Sequence, residues 1–214
     1  MKETVHFLKG PAGVLEARAN NTGSNNAIGI VCHPHPLYQG SMDNKVVTTI
    51  VRAFQTLGLK TIRFNFRGIG KSEGSYSQGI GEVEDLESII RWVKENHPND
   101  RIYLAGFSFG SYIATKYASE TKIDIAALLT VAPAITHFDF LSLPVPPCPW
   151  VIIHGSKDEL ISLSEVKKWV EDTKQKHQRF PIELIIIEEA THFFHGCLVT
   201  LRNQIEKIIK PMVA

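Results

Sequence analysis

A chain of 214 residues that is 43% hydrophobic and 21% charged has the composition of a globular protein and enough length for one sizeable core. Its 23 Lys and Arg against 22 Asp and Glu leave a formal net charge of +1, which argues against nucleic acid or an anionic membrane as partner. The three cysteines, Cys32, Cys148 and Cys197, lack C-x-x-C spacing; this argues against a disulfide scaffold or a zinc site and fits a reducing compartment.

The opening residues Met1-Lys2-Glu3-Thr4-Val5 carry no apolar stretch of the roughly 7–15 residues a secretory leader needs. No apolar run approaches the roughly 18 residues of a spanning helix. A cytoplasmic protein is expected, folded as one domain over residues 1–214.

Residues 5–8 and 14–17 flank the turn signal Gly10-Pro11-Ala12-Gly13 and read as an antiparallel hairpin at a sheet edge. Nearly continuous Ile, Val and Leu runs follow at 27–32, 60–64, 102–105, 127–131, 151–154 and 182–187. Strands look this way when both faces of a parallel sheet are covered. Helical patterns lie between them at 44–57, 81–96, 109–119, 163–176 and 198–209. In the second, Val83, Leu86, Ile90 and Val93 recur every three or four residues and share one face. The alternation predicts an α/β fold: a doubly wound, mostly parallel sheet with an antiparallel N-terminal edge. The Pro-rich stretch 143–149 precedes a strand pattern directly and reads as a loop.

Gly106-Phe107-Ser108-Phe109-Gly110 matches G-x-S-x-G, with a strand pattern before it and a helix pattern after it. A tight turn there needs small neighbours, which the two glycines supply. It lifts the serine to a helix N-terminus, where free N–H groups favour developing negative charge. The alternative is a serine N-cap with packing glycines.

A serine hydroxyl needs a base to take its proton. In this kind of site the order is serine, acid, histidine, with the acid and the histidine on loops after later strands. The strand at 151–154 runs into Gly155-Ser156-Lys157-Asp158, so Asp158 is the expected acid, with Glu159 as its rival. The last strand runs into Glu188-Glu189-Ala190-Thr191-His192-Phe193-Phe194-His195. His192, nearer the strand end, is the expected base ahead of His195.

The strand at 27–32 leads into His33-Pro34-His35-Pro36-Leu37-Tyr38-Gln39-Gly40. An oxyanion hole takes one N–H from the residue after the nucleophile, Phe109, and one from this loop. Pro34 and Pro36 have no N–H, so Leu37 is the expected donor, with Tyr38 second. His33 and His35 lack the further spaced ligands of a metal site, and no metal or organic cofactor is expected.

The runs HPHPLYQGSMDNKVV (33–47), NFRGIGKSEG (65–74), AGFSFGSYIA (105–114), HGSKD (154–158) and THFFHG (191–196) together resemble the small, lidless bacterial members of the α/β-hydrolase superfamily. The resemblance spans roughly residues 27 to 210, and its HPHP and G-F-S-F-G pieces are the most specific. It implies the serine hydrolase fold and catalytic roles for Ser108, Asp158 and His192. Two positions depart from the pattern: Gln39 where a second glycine is expected, and Thr191 where an aspartate often precedes the histidine.

Gly68-Ile69-Gly70-Lys71-Ser72 imitates a phosphate loop, but the first glycine of that motif would fall on Asn65 and further glycines follow. It reads as a surface loop. Acyl transfer from a small carboxylic ester to water is therefore the expected reaction. Peptide or thioester cleavage on the same residues, and a non-catalytic binding protein on the same scaffold, are the alternatives. Only residues 132–149 lie where a lid would be inserted, so the site should be open. Tyr38, Met42, Phe107 and Phe138, the last within His137-Phe138-Asp139-Phe140, are the expected pocket lining.

Overall fold

The computed structural model describes residues 3–176 and 179–213. The order of elements is β1 (Thr4–Gly10), β2 (Gly13–Asn20), β3 (Ala27–Cys32), a 3-10 turn (Pro36–Tyr38), α1 (Lys45–Thr56), β4 (Lys60–Phe64), α2 (Gly81–Asn96), β5 (Arg101–Phe107), α3 (Phe109–Glu120), β6 (Ile125–Val131), β7 (Trp150–Gly155), α4 (Leu163–Lys176), β8 (Ile182–Ile187) and α5 (Leu198–Val213). Eight strands form one sheet in the order β1-β2-β4-β3-β5-β6-β7-β8. The β1–β2 and β2–β4 pairings are antiparallel, and from β4 to β8 every pairing is parallel. The expected α/β architecture with an antiparallel N-terminal edge is thus observed.

Alternate residues of the central strands feed two cores. Ile28, Ile30, Ile102, Leu104 and Ile152 face α2, α3 and α4, while Val31, Ala105, Leu129 and Ile153 face α1 and α5. Gly29 is the exception on β3, because a Cβ there would lie 2.1 Å from the Phe54 ring of α1. Asn44, expected as the first helical residue, is the N-cap of α1, its side chain accepting the Val46 amide at 2.8 Å. β8 is an edge strand and is buried only at Ile182 and Ile187, although its composition matches the covered strands. α5 runs past Pro211 to Val213, beyond the expected end at 209. Its last turn is tied to β5 through the Tyr103 hydroxyl, which donates to the Met212 carbonyl.

The chain leaves β3 for β4 on one side and returns to β5 on the other. Neighbouring parallel strands diverge at such a point, which opens a crevice at their carboxyl ends. Cys32 pairs with Gly106 there, so the loops after β3 and β5 emerge side by side. Among the described residues, no helix is long and apolar enough to cross a membrane.

Candidate active site

β5 ends at Phe107 and α3 starts at Phe109, so Ser108 alone makes the bend between them. It does so at φ 53°, ψ −115°, a region that side-chain-bearing residues rarely occupy and that costs about 1–3 kcal/mol. A Cβ on Gly106 would lie 2.1 Å from the Gly110 carbonyl oxygen, and one on Gly110 would lie 2.4 Å from that of Cys32. The glycines of the motif are therefore imposed by the close approach of strand, helix and neighbouring strand. The Ser108 amide donates to Val131 at 2.9 Å, and the Ser111 hydroxyl donates to Gly106 at 2.8 Å, which pins the bend from both sides.

The far end of the chain delivers the histidine. His192 Nε2 lies 3.0 Å from Ser108 Oγ, and His192 Nδ1 lies 2.8 Å from Asp158 Oδ2. A neutral imidazole with Nδ1 facing a carboxylate carries its proton there, which leaves the Nε2 lone pair for the serine hydroxyl. The other oxygen, Asp158 Oδ1, accepts the amides of Leu160 and Ile161, each at 2.9 Å. Burial by itself would raise the Asp158 pKa. The hydrogen bond and charge of His192, with the Ile161 amide, outweigh it and hold the carboxyl below its ordinary range.

The two rival residues have other places. Glu159 accepts the His192 backbone amide at 3.0 Å and so fixes the histidine loop, not the imidazole. His195 is exposed and stacks on Phe193, ring centroids 5.9 Å apart. Behind the acid lies His154, fully buried. Its Nε2–H donates to the Ile161 carbonyl at 2.9 Å, and the same nitrogen is 3.6 Å from Asp158 Oδ2. Burial lowers its pKa despite the nearby carboxylate, so the ring is neutral.

The loop after β3 differs from expectation. The Leu37 amide donates to His35 Nδ1 at 3.2 Å within its own 3-10 turn, and the Tyr38 amide donates to the His35 carbonyl at 3.1 Å. Neither is free for an oxyanion. Within the described residues, the amides of His35 and Phe109 make no hydrogen bond. His35 sits between Pro34 and Pro36, and its N–H is the donor left between two residues that have none. Gln39, where a second glycine was expected, sits at φ 60°, a left-handed conformation that glycine adopts without steric cost. His33 and His35 turn to different partners. His33 Nδ1–H donates to the Pro34 carbonyl at 2.6 Å and its Nε2 accepts the Phe66 amide at 3.0 Å, whereas His35 Nε2 faces the Tyr76 hydroxyl at 3.1 Å.

Ser108 and His192 open onto a cavity of about 560 Å³ walled mainly by Tyr38, Tyr76, Phe109, Phe138 and Phe193. Two expected lining residues are elsewhere. Met42 is buried beneath the loop, its amide on Asn65 Oδ1 and its carbonyl on Arg63. Phe107 points away from the cavity into the core shared with α1 and α5, touching the edge of the site only through its ring contacts with His192 and Phe193. Phe140 packs on Trp169 and not in the cavity.

Residues 38–147 match the family described as the alpha/beta hydrolase fold. The chain belongs to this family. An uncharacterized protein of Rickettsia prowazekii is 36% identical to this α/β hydrolase over 193 residues, 88% of this chain and 81% of that one. The structure of an alpha-beta serine hydrolase homologue from Coxiella burnetii matches it with a TM-score of 0.89 and 44% identity, over 97% of both chains. A Xanthomonas campestris structure described as an a/b serine hydrolase without lid matches with a TM-score of 0.90 and 33% identity, over 100% of this chain and 96% of that one. In this α/β hydrolase the stretch between β6 and β7, residues 132–149, holds no helix.

The hydrolase also has site residues that no motif announced. Tyr76 comes from the irregular loop before α2, and Leu160, Ile161 and Phe193 come from beside the acid and the histidine. The loop carrying Tyr76 is the one that imitates a phosphate loop. Here the Lys71 amide is bound by Glu16 Oε2, and Ser72 bridges the Glu16 amide and the Asn65 carbonyl. A pair of carboxylates three residues apart, Glu82 and Asp85, was the available signal that this loop is held and not loose.

Proposed function

We propose that this α/β hydrolase cleaves small carboxylic esters by a two-step acyl transfer through Ser108, His192 and Asp158. The observation that carries the reading is the unbroken run of contacts from Asp158 Oδ2 to His192 Nδ1 and from His192 Nε2 to Ser108 Oγ, at 2.8 and 3.0 Å, ending on a strained bend. Such a serine attacks the ester carbonyl as His192 takes its proton. His192 then returns the proton to the leaving alcohol, and a water activated by the same imidazole releases the acid. Asp158 holds the tautomer and stabilises the imidazolium. The amides of Phe109 and His35 are the donors assigned to the oxyanion, in place of Leu37. The substrate is a small molecule free in solution, and the protein is assigned to the cytoplasm.

Labelling by a fluorophosphonate, lost in Ser108→Ala, tests the nucleophile. Release of p-nitrophenol from short acyl esters, compared in parallel with thioester and peptide cleavage, tests the bond. Preferred turnover of a peptide or a thioester would replace the ester assignment. Absence of both labelling and turnover would leave a non-catalytic binding protein.

A further inference from the structure

We propose that Tyr76 is a specificity-determining hydrogen-bond donor in the pocket beside Ser108, and that the preferred substrates are esters bearing a flat aromatic group with an ether or carbonyl oxygen. The inference rests on the ester-hydrolase reading above and names the substrate class of that site.

The tautomer of His35 is fixed by its own turn. Its Nδ1 accepts the Leu37 amide at 3.2 Å, so Nδ1 holds a lone pair and a neutral ring must carry its proton on Nε2. That Nε2 is 3.1 Å from the Tyr76 oxygen. The N–H therefore donates to Tyr76, and the phenol cannot use its own proton on His35. The Tyr76 proton has no other acceptor among the described residues, and the side chain lines the cavity that Ser108 opens onto. An O–H donor without a protein acceptor among the described residues thus stands at the wall of the cavity beside Ser108. Burial, reinforced by His137, lowers the His35 pKa, which keeps that ring neutral near pH 7. Burial, with Glu82 and Tyr38, raises the Tyr76 pKa, so the phenol stays protonated.

The position of the donor is set by the backbone. Glu82, fully buried at the start of α2, accepts the amides of Ser77 at 2.8 Å and Gly79 at 2.7 Å, directly after Tyr76. The walls around it are rings in mutual contact. His35 lies with its centroid 4.9 Å from Tyr76 and from Tyr38 and 5.0 Å from Phe109, and Phe109 is 5.0 Å from Phe138. Tilted and edge-on rings of this kind favour another planar ring over a flexible alkyl chain. An apolar aromatic wall with one oriented donor selects a ring that carries an acceptor.

Two matched ester pairs test this: 4-methoxyphenyl against 4-ethylphenyl acetate, and methyl 4-methoxybenzoate against methyl 4-ethylbenzoate. Each kcat/KM ratio is divided by the ratio for hydroxide-catalysed hydrolysis to remove the electronic effect. One net hydrogen bond predicts a ratio of about 3 to 10 in favour of the methoxy ester in at least one pair, falling to about one in Tyr76→Phe. Ratios of one in the wild type overturn the proposal whether or not the variant folds. A preference that survives Tyr76→Phe unchanged also overturns it. Fluorophosphonate labelling run alongside separates the two failures. A labelled, ester-cleaving wild type with flat ratios removes only the role of Tyr76, whereas no labelling and no turnover removes the ester-hydrolase reading and this inference with it.

Discussion

His154 lies under Asp158 with its Nε2 3.6 Å from the carboxylate and its Nδ1 buried without a partner among the described residues. An unsatisfied buried nitrogen costs about 1–3 kcal/mol, so something else keeps the ring there. Its hydrogen bond to the Ile161 carbonyl closes the same loop whose Leu160 and Ile161 amides hold Asp158 Oδ1. His154→Leu, close in volume, should lower kcat by about 10- to 100-fold through a loosened acid. Combined with Asp158→Asn, it should cost little more than Asp158→Asn alone, because both act through one imidazole. Steady-state kinetics of the two single variants and the double variant check this, and additive losses would count against a shared role.

The bend at Ser108 predicts opposite effects on stability and activity. Ser108→Gly relieves the positive φ and should raise Tm by about 2–4 °C for each kcal/mol released, while abolishing labelling and turnover. Ser108→Ala keeps the strain and should melt near the wild type, with turnover down by roughly 10⁴–10⁶-fold. Calorimetry on the three proteins decides. Equal melting of Ser108→Gly and Ser108→Ala would show that the bend is not strained.

Stability should fall on mild acidification. Burial, only partly offset by its bond to Pro34, holds the His33 pKa down at about 4, against an ordinary 6.5. The unfolded chain binds that proton below about pH 6.5 and the folded chain does not until about pH 4. The contribution is thus full above pH 6.5 and is lost as pH drops through this window, by roughly 3 kcal/mol at its lower end. His35, His97 and His154 are displaced in the same direction and add to the slope. The lowered Asp158 acts only below the ordinary carboxylate range. A Tm that stays level from pH 7.5 to pH 4.5 would contradict this.

Arg67 and Asp85 form a buried pair at 2.8 Å, and Asp85 also accepts the Arg67 amide at 2.9 Å. Asp85→Ala leaves the buried guanidinium with the exposed Glu84 carboxylate at 3.2 Å as its remaining ion pair and should cost about 2–4 kcal/mol in denaturant unfolding. A loss below about 1 kcal/mol would mean that the loop before α2 is anchored by Glu82 and β2 without it.

The open cavity of about 560 Å³, with no helix in residues 132–149, predicts a preference for short acyl chains. Turnover of p-nitrophenyl esters should peak at short chain length, and a maximum beyond about ten carbons would be at odds with this pocket.

The fold, and the three side chains that the structure brings together as Ser108, His192 and Asp158, could be read from the sequence for a local reason. Buried parallel strands need continuous Ile, Val and Leu runs, as at 27–32 and 102–105. A one-residue strand-to-helix bend needs small neighbours, as Gly106 and Gly110 show. Residues whose role follows from such local constraints announce themselves, and the order Ser108, Asp158, His192 followed from strand order. The edge character of β8 could not be read, because Leu184 and Ile185 look the same whether a further strand covers them or not.

The pocket was a matter for the tertiary structure. Met42 and Phe107 stand beside site residues in the sequence yet face the core, while Tyr76 reaches the cavity from an irregular loop about thirty residues before Ser108. The loop after β3 behaves likewise, since the Leu37 amide is lost to a ring nitrogen two residues away. Composition and period set which face of an element is buried. Which phenol keeps its proton for a crevice depends on contacts between distant segments such as His35 and Tyr76, and even the short-range bond of the Leu37 amide depends on how the His35 ring is turned against Tyr76 and Phe109.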